Sequence, residues 1–239
     1  MAYVNGAPVD LSQIHFENTM SSSRTGGRSY IKVSRDAESG EQVAFQLGKR
    51  LRDASRCPFG LEKTHVDAAD DESYKVLKLE IGGSARSAIL DMERATVEAA
   101  VGSANTWFPS KKPLSQATVE DSFQSKIYSS KSQEGQYPDL LKVKVALSGE
   151  RQTKVLVAHA KTDGTYTKPV AGAWSDLDRG CKVLPVVSIV GGVYVVNRQY
   201  GTSLVATQLC IVKEKQQAAT PVALSFGSDV DDESDVEGV

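Results

Sequence analysis

The chain has 239 residues, 28 basic and 30 acidic side chains, a formal net charge of -2 and 40% hydrophobic residues. This is the composition of an ordinary globular protein, long enough for one large domain or two small ones around a real core. No apolar run approaches the ~20 residues of a membrane span, and Met1 to Asp10 lacks the charged and apolar regions of a signal peptide, so an intracellular protein is expected.

The three cysteines, Cys57, Cys181 and Cys210, are odd in number, far apart and outside any CxxC pair. That argues against a disulfide framework or a zinc site, and reduced structural thiols are expected. Residues 1–27 are expected to form a flexible N-terminal segment with a first strand, and the basic, loop-like run Ser21 to Arg28 leads from it into the domain that starts at residue 28. Tyr30 to Val33 and Gln42 to Leu47 read as a hairpin turned at Ser39-Gly40. Tyr74 to Ile81 alternates, with Leu77, Leu79 and Ile81 on one face and Lys78 and Glu80 on the other, as in a half-solvated antiparallel strand.

Past Gly82-Gly83, apolar and small residues recur at helical spacing from Ala85 to Ser103, with Ser84 as the expected N-cap. Ser115 is placed to cap a shorter helix through Ser122. The remaining third reads as β. Leu141, Val143, Val145 and Leu147 share a face opposite Lys142 and Lys144, and Ser148-Gly149-Glu150 leads into a strand from Thr153 to Ala158. Cys181 to Val190, Val193 to Asn197 and Ser203 to Lys213 read as three more strands, joined at Gly191-Gly192 and Tyr200-Gly201. Pro185 marks an edge or a bulge in the first of these.

No catalytic constellation assembles. His15, His65 and His159 lack metal-ligand spacing and no nucleophile motif accompanies them, so no enzyme activity, metal or cofactor is assigned. Nucleic-acid binding has better support, because a single-strand binder combines basic side chains that track phosphates with aromatic platforms that stack bases. Lys142, Lys144, Lys154, Arg198, Arg28 and Lys32 are the candidate phosphate partners. Tyr166, Trp174, Tyr194 and Tyr200 are the candidate platforms, and Tyr30 stands between Arg28 and Lys32.

The segments Arg56-Cys57-Pro58-Phe59-Gly60, Thr106-Trp107-Phe108-Pro109, Arg179-Gly180-Cys181-Lys182-Val183, Gly191-Gly192-Val193-Tyr194, Arg198 to Leu204 and Ile211-Val212-Lys213-Glu214, with the acidic end, carry a resemblance. Over about residues 28–239 the chain resembles the OB-fold single-stranded-DNA-binding proteins of large DNA viruses of algae, a plan shared with podophage replication proteins of similar length. The resemblance implies a mainly β, Greek-key OB-like barrel over residues 28–213 with one long and one short helix inserted at about 84–123. It also implies a non-enzymatic viral protein that protects ssDNA in replication or recombination, at a viral replication site or in the host nucleus.

Residues 214–239 read as a flexible spacer and an acidic tail. Six of the last eleven residues are acids, Asp229, Asp231, Asp232, Glu233, Asp235 and Glu237, so the rest of the chain is mildly basic. In the family such a tail recruits polymerase, helicase or primase. Here the chain ends Val236-Glu237-Gly238-Val239, without the terminal aromatic common in such tails. Ser228 and Ser234 each have an acid three residues on, a spacing acidophilic kinases favour, and phosphate there would add about -1.5 to -2 charges per site. A homodimer is compatible with the sequence. Two other readings stay open: an RNA-binding OB module and a structural virion protein.

Overall fold

The computed structural model describes residues 2–4, 7–22, 29–38, 40–63, 73–109, 113–129 and 137–214. Strands β1 (Ala2–Val4), β2 (Ala7–Val9), β3 (His15–Ser22), β4 (Ser29–Ser34), β5 (Ala44–Leu47), β6 (Ser55–Arg56), β7 (Leu61–Lys63) and β8 (Tyr74–Ile81) precede the helices α1 (Gly83–Gly102), α2 (Ala104–Trp107) and α3 (Gln116–Asp121). Then come β9 (Ile127–Tyr128), β10 (Asp139–Ala146), β11 (Lys154–His159), β12 (Val170–Ala171), β13 (Lys182–Val196) and β14 (Gln199–Lys213). The fold is mainly β and OB-like, built on one mixed sheet.

β13 and β14 organise everything else. They form one long hairpin whose two-residue turn is Asn197-Arg198, with φ of 50° and 66°. Positive φ at both positions is the primed-turn geometry whose twist matches the flanking strands. The expected junction at Tyr200-Gly201 is therefore displaced to Asn197-Arg198. Gly191-Gly192 does not end a strand either; it is a register shift inside β13, between Ile189 and Val193. A Cβ on Gly192 would stand 1.8 Å from the Ile31 carbonyl oxygen, so a bare backbone is what lets β4 approach the bend.

Along its other edge β13 pairs in turn with β6 at Lys182 and Val183, with β5 at Val186 to Ser188, and with β4 at Val193 to Val195. Pro185 falls between the β6 and β5 pairings, where its missing N–H costs no ladder bond. β4 and β5 thus run side by side against β13 and not as the expected hairpin; the bridge Ser34 to Gln42 links them. On the far side of the hairpin, β10 and β11 both pair in parallel with β14, Lys144 opposite Val205 and Lys154 opposite Gln208. β8 continues the sheet antiparallel to β10.

Within residues 1–27, expected to be a flexible segment with a first strand, the described residues 2–4 and 7–22 form β1 to β3 and a 3-10 turn at Leu11–Gln13. The reason is burial: Ala2, Leu11 and Ile14 enter the core, and β1 pairs with β5 while β3 pairs with β4. α1 starts two residues before the expected Ala85, capped by Gly82 and not by Ser84. It buries Ala88, Ile89, Met92, Thr96 and Ala100, a stripe of helical spacing worth about 1.5–3 kcal/mol for each large side chain. α3 is capped as expected, the Ser115 hydroxyl accepting from the Thr118 N–H at 3.2 Å. Among the described residues no helix is long and apolar enough to cross a membrane.

Candidate nucleic-acid interface

Strand alternation divides the sheet into a core face and an outward face. On β10 the side chains of Leu141, Val143 and Val145 are fully buried, so Lys142 and Lys144 point outward. Lys78 on β8 lies directly opposite Lys142 and shares that face, because Leu77 and Leu79 are turned inward. On β13 Val193 is buried and Tyr194 is outward, and its partner on β4 is Tyr30. Adjacent Ile31 is buried, which sends Tyr30 and Lys32 to the same outward side.

Lys126 joins these two halves. The Lys142 N–H donates to its carbonyl at 3.0 Å, and its ammonium reaches the Tyr194 side chain, donating to the hydroxyl at 3.2 Å and standing 5.0 Å from the ring centroid. A buried carboxylate holds this segment. Glu93 on α1 accepts from the Lys126 N–H at 2.6 Å and from the Ser125 hydroxyl at 2.8 Å. Burial raises the Glu93 carboxyl above its ordinary range, against the pull of the Lys126 amide, Ser125 and the Lys126 ammonium. Burial also lowers Lys126, with Glu93 opposing.

Three ammonium groups consequently sit together. The Lys142 amine is held below its ordinary value by burial first, then by repulsion from Lys126 and Lys78. Repulsion of this kind is relieved by a multivalent anion. Aromatic rings border the trio: Tyr194 and Tyr30 on one side, Tyr128, opposite Leu140 and 47% exposed, beside it, and Phe59, 46% exposed, on the other. The Lys78 ammonium stands 5.4 Å from the Phe59 centroid and pairs with Glu62 at 3.0 Å. Across the sheet the order is Phe59, Lys78, Lys142, Lys126, Tyr194 and Tyr30.

The other sequence candidates lie elsewhere. Tyr200 is a correction: it is fully buried, packed against Phe108 and Phe123 at 5.2 and 5.4 Å between ring centroids. The hairpin register pairs Tyr194 with Gly201 and Tyr200 with Val195, so the two tyrosines project to opposite faces. Lys32 is ion-paired with Glu17 at 2.9 Å. Lys154 faces Gln208, seven residues along β14 from Gly201, roughly 23 Å at ~3.3 Å per residue. Tyr166 bridges to Ala160, and Trp174 packs against the core in a short 3-10 turn. Neither belongs to the lysine cluster. Arg198 occupies the exposed hairpin tip, and Lys144 is outward between Val76 and Val205. Arg28, the tail acids Asp229 to Glu237, Ser228 and Ser234 lie outside the described residues.

Sequence reasoning missed Lys126, Tyr128 and Phe59. All three sit in a loop or a two-residue strand, where there is no periodicity to show which way a side chain points; Lys78 was legible as outward from its alternation.

No protein-family model matches the chain, and no curated protein matches it. Among solved structures the chain is similar to gp2.5, a single-stranded DNA binding protein encoded by bacteriophage T7, at 14% identity and a TM-score of 0.42, over 72% of this chain and 87% of that one. It is also similar to the single-stranded DNA-binding protein of bacteriophage Enc34 in complex with ssDNA, at 9% identity and a TM-score of 0.41, over 82% and 94% of the two chains.

Proposed function

We propose that the protein binds single-stranded DNA across this outward face, with little dependence on base sequence. The observation that carries the reading is the juxtaposition of Lys78, Lys126 and Lys142 between outward aromatic rings. The ammonium groups would neutralise successive phosphates, while Tyr194, Tyr128, Phe59 and Tyr30 would offer ring faces to unstacked bases. Stacking uses the π-face that every base has, so it does not read sequence. A duplex keeps its bases stacked inside and would lose these contacts.

The role extends, in this proposal, to protection of ssDNA during replication or recombination. The acidic tail would contact replication partners such as a polymerase, helicase or primase through its charge. Titration of labelled dT oligomers and of a duplex at several salt concentrations tests the binding. Two phosphate contacts, at Lys126 and Lys142, give a log–log salt slope near -1.4, at about -0.7 per contact, and Lys78 steepens it only where DNA displaces Glu62. A matched U oligomer decides between DNA and RNA. No ssDNA affinity at low salt, with or without residues 228–239, overturns the proposal.

A further inference from the structure

The pairing of β6 with β13 sets Arg56 opposite Lys182 and Ser55 opposite Val183. One residue further the ladder ends in a bulge, where Cys57 faces both Gly180, at a φ of 79°, and Cys181. The Cys57 N–H donates to the Cys181 carbonyl at 2.8 Å, and the Gly180 N–H donates to the Cys57 carbonyl at 2.7 Å. Opposite residues of an antiparallel pair send their side chains to one face, with Cα atoms about 4.5–5.5 Å apart. A disulfide spans about 4.4–6.8 Å between Cα atoms, the range in which residues facing each other across neighbouring strands lie.

The side chains agree with the register. Cys57 is buried in the main core, Cys181 is half-buried against the same core, and the two thiols are near enough to shift each other's ionisation, Cys57 down and Cys181 up. Cys210 is buried in a separate small cluster with Ala158 and Leu184. Among the described residues, then, one pair of free thiols is preset to bond and the third is set apart.

We propose that Cys57 and Cys181 form a reversible dithiol–disulfide site that exchanges with low-molecular-weight disulfides. The Cys181 sulfur is the more exposed of the two, and although its contact with Cys57 and burial raise its ionisation above the ordinary value, it is the one a small disulfide can reach. As thiolate it attacks one sulfur of that disulfide, breaking its S–S bond and releasing one thiolate. Cys57, deprotonated in turn, attacks the Cys181 sulfur and displaces the second. The two protons lost by the protein pass to the released thiolates: two cysteines are oxidised and one small disulfide is reduced to two thiols. The new bond joins strands that about half the chain separates, and it pins the Cys57–Gly60 turn that holds Phe59 over Lys78. It therefore stiffens one border of the lysine cluster whatever that cluster binds.

The test exposes the reduced, full-length protein to oxidised glutathione, then reads intact mass and a non-reducing peptide map. The expected result is a loss of two hydrogens, a linked Cys57–Cys181 peptide, Cys210 outside the link, and reversal by dithiothreitol. The oxidised form should melt roughly 5–10 °C higher, as a disulfide closing a long loop constrains the unfolded chain. Cys181→Ser should abolish the two-hydrogen loss. Retention of three alkylatable thiols after exposure, or a link that includes Cys210, overturns the proposal.

Discussion

Tyr194 lies opposite Gly201 across the β13–β14 hairpin, and its ring occupies the space a side chain at residue 201 would need. A Cβ there would stand 3.0 Å from Tyr194 Oη and 2.8 Å from the Gln124 carbonyl oxygen. Gly201→Ala must therefore displace either the ring or the backbone that leads to Lys126. The expected outcome is a loss of about 1–3 kcal/mol of stability in chemical denaturation together with weaker dT binding. An alanine variant that binds as tightly as wild type would remove Tyr194 from the proposed interface.

Charge removal separates clustered from paired lysines. Lys126→Ala and Lys142→Ala should each reduce the steepness of the ssDNA salt dependence by about 0.7. Lys32→Ala should leave it nearly unchanged, because Lys32 already spends its charge on Glu17. The readout is the slope of log affinity against log salt for each variant.

The two hairpin tyrosines should respond in opposite ways. Tyr194→Ala is expected to cost about 1–3 kcal/mol of ssDNA binding with a small change in stability. Tyr200→Ala should cost about 3–5 kcal/mol of stability, since it empties a site between Phe108 and Phe123. The Tyr200 hydroxyl is buried without a hydrogen-bond partner among the described residues, and burial pushes its ionisation well above the ordinary range. Tyr200→Phe should then be neutral or stabilise by up to ~2 kcal/mol, read from denaturant midpoints.

Glu93 makes the stability of the Lys126 segment depend on pH. Its carboxyl is raised above the ordinary value of 4.5, with burial as the main cause, so the folded protein takes up this proton at a higher pH than the unfolded chain does. Protonation thus favours the folded state. The contribution grows as pH falls toward the unfolded value and is lost as pH rises through the folded one. The thermal midpoint of wild type relative to Glu93→Gln is expected to rise as pH is lowered from about 7 to about 5. A difference that stays flat with pH would show that Glu93 keeps its ordinary ionisation. Glu93→Ala, which cannot accept from the Lys126 amide, should in addition weaken ssDNA binding.

Alternation along β8 and β10 was legible from residue order alone, as were the apolar stripe of α1 and the Ser115 cap. Each depends on neighbours a few residues apart, within reach of the strand period of two and the helix period of 3.6. Local order also showed that Lys78, Lys142 and Lys144 face outward. It did not show which lysines meet. That depends on the Asn197-Arg198 turn, whose register puts Tyr194 outside and Tyr200 inside, on the parallel pairing of β10 with β14, and on Glu93 drawing the Lys126 backbone to the edge of the sheet. The same holds for Cys57 and Cys181, distant in the chain and adjacent across two strands. These are contacts between remote segments, chosen by how the whole core closes. Only the tertiary structure could make a lysine cluster, and a thiol pair, out of residues that the chain keeps apart.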